Sequence, residues 1–170
     1  MLYFYRHQGK VILTTRVSNT TVITDAKKLK LGEAVFIGHY NFIESSNGIT
    51  IEDGVQLTNY ISVLTHSSHQ SIRLYGYEYL NHSDMIGYRK GSVAIGKFSF
   101  IGPHVTILPG TTIGKGSVVA AYALLRGEFP DYSIIAGNPA VVVGDTREKD
   151  KELLAQHPEL MPFYNKWTEN

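Results

Sequence analysis

Residues 63–70 read VLTHSSHQ and set two histidines, His66 and His69, three positions apart. An imidazole changes protonation near neutral pH, so it can take the proton of a hydroxyl while that oxygen attacks a carbonyl carbon. Such assistance contributes about 100-fold to 10,000-fold in rate. The remaining histidines, His7, His39, His82, His104 and His157, stand in no such pairing. His39 and His104 fall inside regular segments, where a corner or groove position accounts for them. His82 reads as solvated, and His7 and His157 carry no motif.

The totals narrow the classes of function. At 170 residues the chain suits one principal domain with a buried core. Sixteen basic and fifteen acidic residues nearly cancel, so no overall field points to nucleic acid or an anionic membrane as partner. With no cysteine there is no disulfide framework, no thiolate nucleophile and no cysteine-ligated zinc. The opening MLYFYRHQGKVILTTRV turns polar within six residues, and no run approaches the length of an integral membrane segment. A cytoplasmic location is the expectation.

The histidine pair interrupts a rhythm, and the rhythm names the scaffold. From Val93 onward an aliphatic residue recurs every sixth position, at Ile95, Ile101, Ile107, Ile113, Val119 and Leu125. Smaller inward candidates precede each by two, at Val93, Ser99, Val105, Thr111, Ser117 and Ala123. The same phase runs through Ile51, Leu57 and Val63, and before an apparent two-residue insertion in ESSNG through Leu31, Ile37 and Ile43. Val11, Val17, Ile23, Leu29 and Val35 extend it upstream, so the repeat is expected to begin near residue 11. A period of six fits neither an amphipathic helix nor a long alternating strand. It fits short strands joined by tight corners, three to a turn, with coils stacked at about 4.8 Å so that strands pair in parallel. Glycine or asparagine at the corners would supply left-handed backbone angles. The expected fold is all-β, a parallel β-helix of four coils with room for a fifth toward the N-terminus.

The segments VAIGKFSFIGPHVTILPGTTIGKGSVV and FPDYSIIAGNPAVVV resemble the final coils and closing turn of the hexapeptide-repeat acyltransferases, and the resemblance covers roughly residues 29–144. That family includes galactoside, xenobiotic and polysaccharide O-acetyltransferases. The resemblance implies a left-handed coil, which periodicity alone does not reveal. It also implies a homotrimer with acetyl-CoA as co-substrate in a groove between neighbouring β-helices. On this basis residues 1–144 are expected to form the β-helix, with residues 64–92 extruded as a loop, and residues 145–170 a helical cap over the last coil or against a neighbouring subunit.

In the galactoside branch the first histidine at the root of the extruded loop is the general base, and His66 matches it; His69 is the runner-up base or a substrate contact. The loop's Arg73, Tyr75 and Tyr88, with His69, form a set able to stack on a sugar ring and bond its hydroxyls, or to pack subunits together. By motif match Pro103 and Ala121 correspond to cofactor contacts. Arg126, standing where the family has a Thr-Lys pair, is the candidate phosphate partner. Val141 replaces the Arg or Lys often found after GNPA, and Gly137, Asn138 and Pro139 read best as turn formers. A zinc-dependent branch of this fold spaces two ligand histidines five apart, which no pair here does, so no metal is expected. Without a cysteine or a serine nucleophile motif, direct transfer is favoured over an acyl-enzyme. The expected activity is O-acetylation of a carbohydrate acceptor. An amino-sugar N-acetyltransferase and a non-catalytic trimeric scaffold are the alternatives.

Overall fold

From Leu29 onward the sixfold aliphatic residues are buried in one continuous core, through Ile37, Ile43, Leu57, Ile95, Ile107 and Leu125 to Ile135, with Val17 and Ile23 partly buried against it. The computed structural model describes residues 2–7 and 10–169. Short parallel strands stack these residues in three columns, one for each face of a triangular prism. On the first face Val17, Ile37, Leu57, Ile101, Val119 and Ile135 lie one above another. The second face stacks Ile23, Ile43, Val63, Ile107 and Leu125. The third stacks Leu31, Ile51, Ile95, Ile113 and Phe129. Burying these columns supplies the hydrophobic drive, and ladder bonds between coils satisfy the main chain.

Two details depart from the sequence expectation. The rhythm reaches Val11, yet strand Lys10–Ser18 runs antiparallel to Leu2–His7 and enters the parallel stack only at Arg16 and Val17. Period alone does not distinguish a hairpin strand from a coil strand when both alternate. The glycines that follow the aliphatic residues do not turn the corners either. A Cβ on Gly96 would stand 2.5 Å from the Lys115 nitrogen, and one on Gly102 2.8 Å from that of Ala121. These positions demand glycine because the next coil passes too close for a side chain.

The left-handed corner residues other than glycine are largely aromatic. Along the first edge, between the third and first faces, positive φ angles fall at Ala34, Gly54, Phe98, Gly116 and Tyr132. Along the second edge they fall at Tyr40, Tyr60, His104 and Tyr122, all between 59° and 63°. The second-edge rings stack with centroids 5.2, 4.9 and 4.7 Å apart and planes within 16°. Strained backbone at each rung, of order 1–2 kcal/mol for an L-residue, is offset by contact with the ring above and below.

The third edge, between the second and third faces, carries Asp25, Gly48, Gly110 and Gly127 in the left-handed region. It is also where residues between Leu64 and Val93 leave the prism. This excursion contains a short helix α1 (Ser71–Tyr75) and a 3-10 segment Gly76–Asn81. Its two stems are joined by an antiparallel bridge that sets His66 opposite Lys90 and Ser67 opposite Arg89.

After the last coil the chain turns at Asn138–Pro139 and returns as strand Ala140–Asp145, antiparallel to Ser133–Gly137. Helix α2 (Thr146–Gln156) starts at Asp145, whose carboxylate accepts from the Arg147 amide at 2.9 Å. Helix α3 (Met161–Thr168) then brings Trp167 against Phe98 and Tyr132, at 4.9 and 6.0 Å between ring centroids. A Cβ on Gly116 would lie 3.0 Å from that indole. The helical segment therefore lies along the first edge, held by the corner rings, and strand Ala140–Asp145 is left as the outermost strand of the first face.

Candidate functional site

The root of the extruded loop gathers polar groups around a buried carboxylate. Glu44 directly follows the inward-facing Ile43, and the coil register places it beside Leu64, two residues short of His66. Its side chain is nearly inaccessible, at 8% exposure. One carboxylate oxygen accepts from the Ser46 amide at 2.8 Å. The other accepts from the Thr65 amide at 3.0 Å, the Thr65 hydroxyl at 2.7 Å and His66 Nδ1 at 2.8 Å. Asn47 closes the corner by donating from Nδ2 to the Thr65 carbonyl at 3.1 Å. ESSNG, a turn insertion in the sequence reading, is thus the segment that wraps the acid.

Burial by itself would raise the Glu44 pKa, but the hydrogen bonds from Ser46 and Thr65 outweigh it and hold the group at about 2. Ionised, a carboxylate only accepts, so His66 Nδ1 carries a proton and donates it. In the neutral ring Nε2 is then the free lone pair. Tyr88 lies parallel to the imidazole, with centroids 5.6 Å apart and planes 8° apart. Its own phenol is pushed upward by burial and by the neighbouring Tyr79 and Glu44, which keeps it protonated at neutral pH. Lys90 Nζ sits 5.4 Å from the Tyr88 ring centroid. The loop's return stem rests directly on the next coil: a Cβ on Gly91 would stand 2.5 Å from the Gly110 nitrogen. His66 is about one-third exposed, so the ring is oriented from behind and open in front.

The other expected residues are distributed unevenly. His69 is exposed, its Nδ1 2.8 Å from the Ser67 hydroxyl. Arg73 donates to the His69 carbonyl. Tyr75 accepts from the Ile86 amide at 3.0 Å and leans on His82, so it braces the loop internally. Of the loop residues expected to meet substrate, only Tyr88 stands beside His66. Pro103 and Ala121 share the second edge, where the Tyr122 amide donates to the Pro103 carbonyl at 3.0 Å. Arg126 is on the third edge, exposed, two coils beyond His66, or about 10 Å along the stack. Gly137, Asn138 and Pro139 form the hairpin turn. Among the described residues no group of three or more His, Cys, Asp or Glu is arranged to hold a metal ion. No described helix is long and apolar enough to cross a membrane.

Glu44, Thr65 and Ser46 escaped sequence reasoning. One signal could have found the acid. An acidic residue directly after an inward aliphatic, one coil before the broken rhythm, is forced by register to the end of a strand that abuts the histidine.

The chain matches the family model "Bacterial transferase hexapeptide (six repeats)" over residues 92–127. It is 34% identical over 142 residues to "Probable acetyltransferase Rv3034c" of Mycobacterium tuberculosis, covering 82% of this chain and 45% of that protein. This chain therefore spans less than half the length of that curated relative. Among solved structures it is similar to a maltose O-acetyltransferase from Clostridium difficile 630, with TM-score 0.65 and 25% identity over 76% of this chain and 65% of that one. A galactoside acetyltransferase in complex with coenzyme A superposes with TM-score 0.67 at 23% identity, over 81% of this chain and 68% of that one.

Proposed function

We propose that the chain is an acyltransferase of the hexapeptide-repeat kind, which its repeat match, its acetyltransferase relative and its left-handed parallel β-helix support, and that it moves an acetyl group from acetyl-CoA to a hydroxyl of a carbohydrate acceptor, with His66 as general base. The observation that carries this reading is the Glu44–His66 pair at the loop root, 2.8 Å between Oε2 and Nδ1. Nε2 takes the acceptor's proton as its oxygen adds to the thioester carbonyl, and Glu44 stabilises the imidazolium that results. The imidazolium then returns the proton to the departing thiolate sulfur, so the ring ends as it began. Tyr88 keeps the ring plane in place and closes one side of it. A main-chain N–H beside the thioester would stabilise the oxyanion.

The placement of the candidate donor contacts supports a shared site. Pro103 and Ala121 lie on the second edge, whereas His66 and Arg126 lie on the third. An acetyl-CoA touching both sets is bound between two copies, with the second edge of one facing the third edge of its neighbour, as in a homotrimer. His69 and Arg73, exposed on the loop, are the candidate acceptor contacts in this reading. The sugar as acceptor draws on the maltose O-acetyltransferase likeness, and a cytoplasmic location follows from the donor.

An acetyl-CoA-dependent screen of sugar and amino-sugar acceptors tests this reading with His66→Ala and His69→Ala in parallel. Transfer to a hydroxyl that collapses only in His66→Ala is the expected result. Full turnover in His66→Ala with loss in His69→Ala would overturn the base assignment. Preference for the amino group would replace O- with N-acetylation, and absence of acetyl-CoA binding would leave a scaffold.

A further inference from the structure

The return stem of the extruded loop brings a cation beside the base, and proton transfer by His66 and Glu44 makes no use of it. The antiparallel bridge sets His66 opposite Lys90, and residues opposite each other in such a pair point to one face of the ribbon. Ring contacts put Tyr88 on that face too: it lies parallel to the imidazole at 5.6 Å between centroids, and Lys90 Nζ sits 5.4 Å from its own centroid. Arg89, opposite Ser67, projects to the other face. The acids nearby leave the Lys90 ammonium largely uncompensated. Asp84 Oδ1 is 3.9 Å away on a side chain 96% exposed, so water screens the pair. Glu44 is behind the imidazole, where it accepts from Ser46, Thr65 and His66. A second ammonium flanks the same corner. Lys28 Nζ donates to the Ser46 carbonyl at 2.6 Å, and Ser46 Oγ stands 3.3 Å from His66 Nδ1. Among the described residues no carboxylate pairs with Lys28.

We propose that the acceptor is an acidic saccharide, whose carboxylate or phosphate is taken by Lys90 while its hydroxyl meets Nε2 of His66. This rests on the carbohydrate reading above and narrows it. A sugar hydroxyl both donates and accepts, so a site for neutral sugars needs groups of both kinds. An ammonium only donates, and its natural complement is a group that only accepts, an ionised carboxylate or phosphate. Such charge-assisted bonds are shorter and stronger than neutral ones. Tyr88 registers the two ends of the acceptor on one side chain: its ring face draws the ammonium and packs on the imidazole, so anion and reacting hydroxyl are held at a fixed separation. Arg126, two coils beyond, is the candidate partner of the donor's phosphate, which leaves Lys90 for the acceptor.

Matched acceptors test this at a fixed acetyl-CoA concentration. Methyl glucuronide and methyl galacturonide probe a carboxylate, glucose 1-phosphate and galactose 1-phosphate a phosphate, and the corresponding methyl glycosides are the neutral counterparts. The proteins are wild type, Lys90→Met, Lys90→Arg and Arg89→Met. Wild type should prefer one acidic class over its neutral counterpart by about 10-fold in kcat/KM, and the class preferred identifies the anion. Lys90→Met should lose that preference through a raised KM for the acidic acceptor, with the KM for acetyl-CoA unmoved. Lys90→Arg, which keeps the charge, should retain it, as should Arg89→Met on the opposite face. Equal use of acidic and neutral sugars by wild type overturns the proposal and leaves the carbohydrate reading in place. A preference that survives in Lys90→Met, a raised KM for acetyl-CoA instead, or a loss as large in Lys90→Arg as in Lys90→Met overturns Lys90 as the contact. Failure of every sugar in the acceptor screen above removes the carbohydrate reading and this proposal with it.

Discussion

Two edges of the same prism each hold a histidine, and they put it to different use. On the second edge His104 keeps the six-residue rhythm, occupies a left-handed corner and is packed between Tyr60 and Tyr122. On the third edge His66 breaks the rhythm, stands on a bridged loop stem and binds a buried carboxylate. Ring stacking appears at both, since Tyr88 covers His66 much as the tyrosines cover His104. What separates them is Glu44. An imidazole oriented by an ionised acid has a defined tautomer and a stabilised cation, whereas one held only by aromatic faces has neither.

That contrast breaks most visibly in turnover. His66→Ala should lower acetyl transfer by about 100-fold to 10,000-fold, while His104→Ala leaves it within a factor of a few; steady-state rates with a fixed acceptor measure both. Comparable losses in the two variants would mean that the second edge also takes part in chemistry.

Next in size is an acid transition. Glu44 is held at about 2 against an ordinary 4.5. Its contribution to stability, about 3 kcal/mol from that difference, is complete above pH 4.5 and disappears as pH falls from there toward 2. Asp145 is also held at about 2, first through its hydrogen bond with Arg147, and titrates over the same range. The difference between wild type and Glu44→Gln isolates the buried acid. Denaturant unfolding should show a gap at pH 7 that narrows below pH 4.5, and a gap independent of pH would exclude an ionised Glu44 in the native state.

Smaller again is the effect of the same substitution on rate. A glutamine amide can donate to Nδ1, which permits the wrong tautomer, and an outer-shell partner of this kind is worth about 10- to 100-fold. The loss should fall on kcat, with the KM for acetyl-CoA unchanged, because Glu44 acts through the ring and not on the donor. A change confined to KM would make Glu44 a determinant of binding.

The two edges were not equally legible in the sequence. Spacing of six reports which residues point inward, and it located all three columns and the place where the loop departs, because burial of Ile95 or Val63 leaves a periodic trace. Corners leave none. Tyr40, Tyr60 and Tyr122 look like surface tyrosines until register stacks them, since their partners are 18 to 44 residues away. Glu44 was hidden for the same reason: its meeting with His66 spans 22 positions and depends on the two-residue insertion in ESSNG, which changes the coil length locally. The seat of the C-terminal segment was not legible, because Trp167 offers an apolar ring to be covered but does not say against what. Apolar content decides whether a helix docks, and complementary shape, here the gap left by Gly116 between Phe98 and Tyr132, decides where.

The smallest effect tests whether stacking is what lets the second edge keep non-glycine residues in the left-handed region. His104→Ala removes two ring contacts, at about 0.5–1.5 kcal/mol each, and retains a Cβ at φ 60°. His104→Gly removes the same contacts but relieves the corner, which at a positive-φ position recovers about 1 kcal/mol. Denaturant unfolding should therefore order the proteins wild type, His104→Gly, His104→Ala, with Tyr60→Ala adding less to His104→Ala than it costs alone because the pair is already broken. If glycine were at least as stable as histidine, the rings would contribute nothing net to the fold, and the ladder would have to be explained by what it contacts outside the chain.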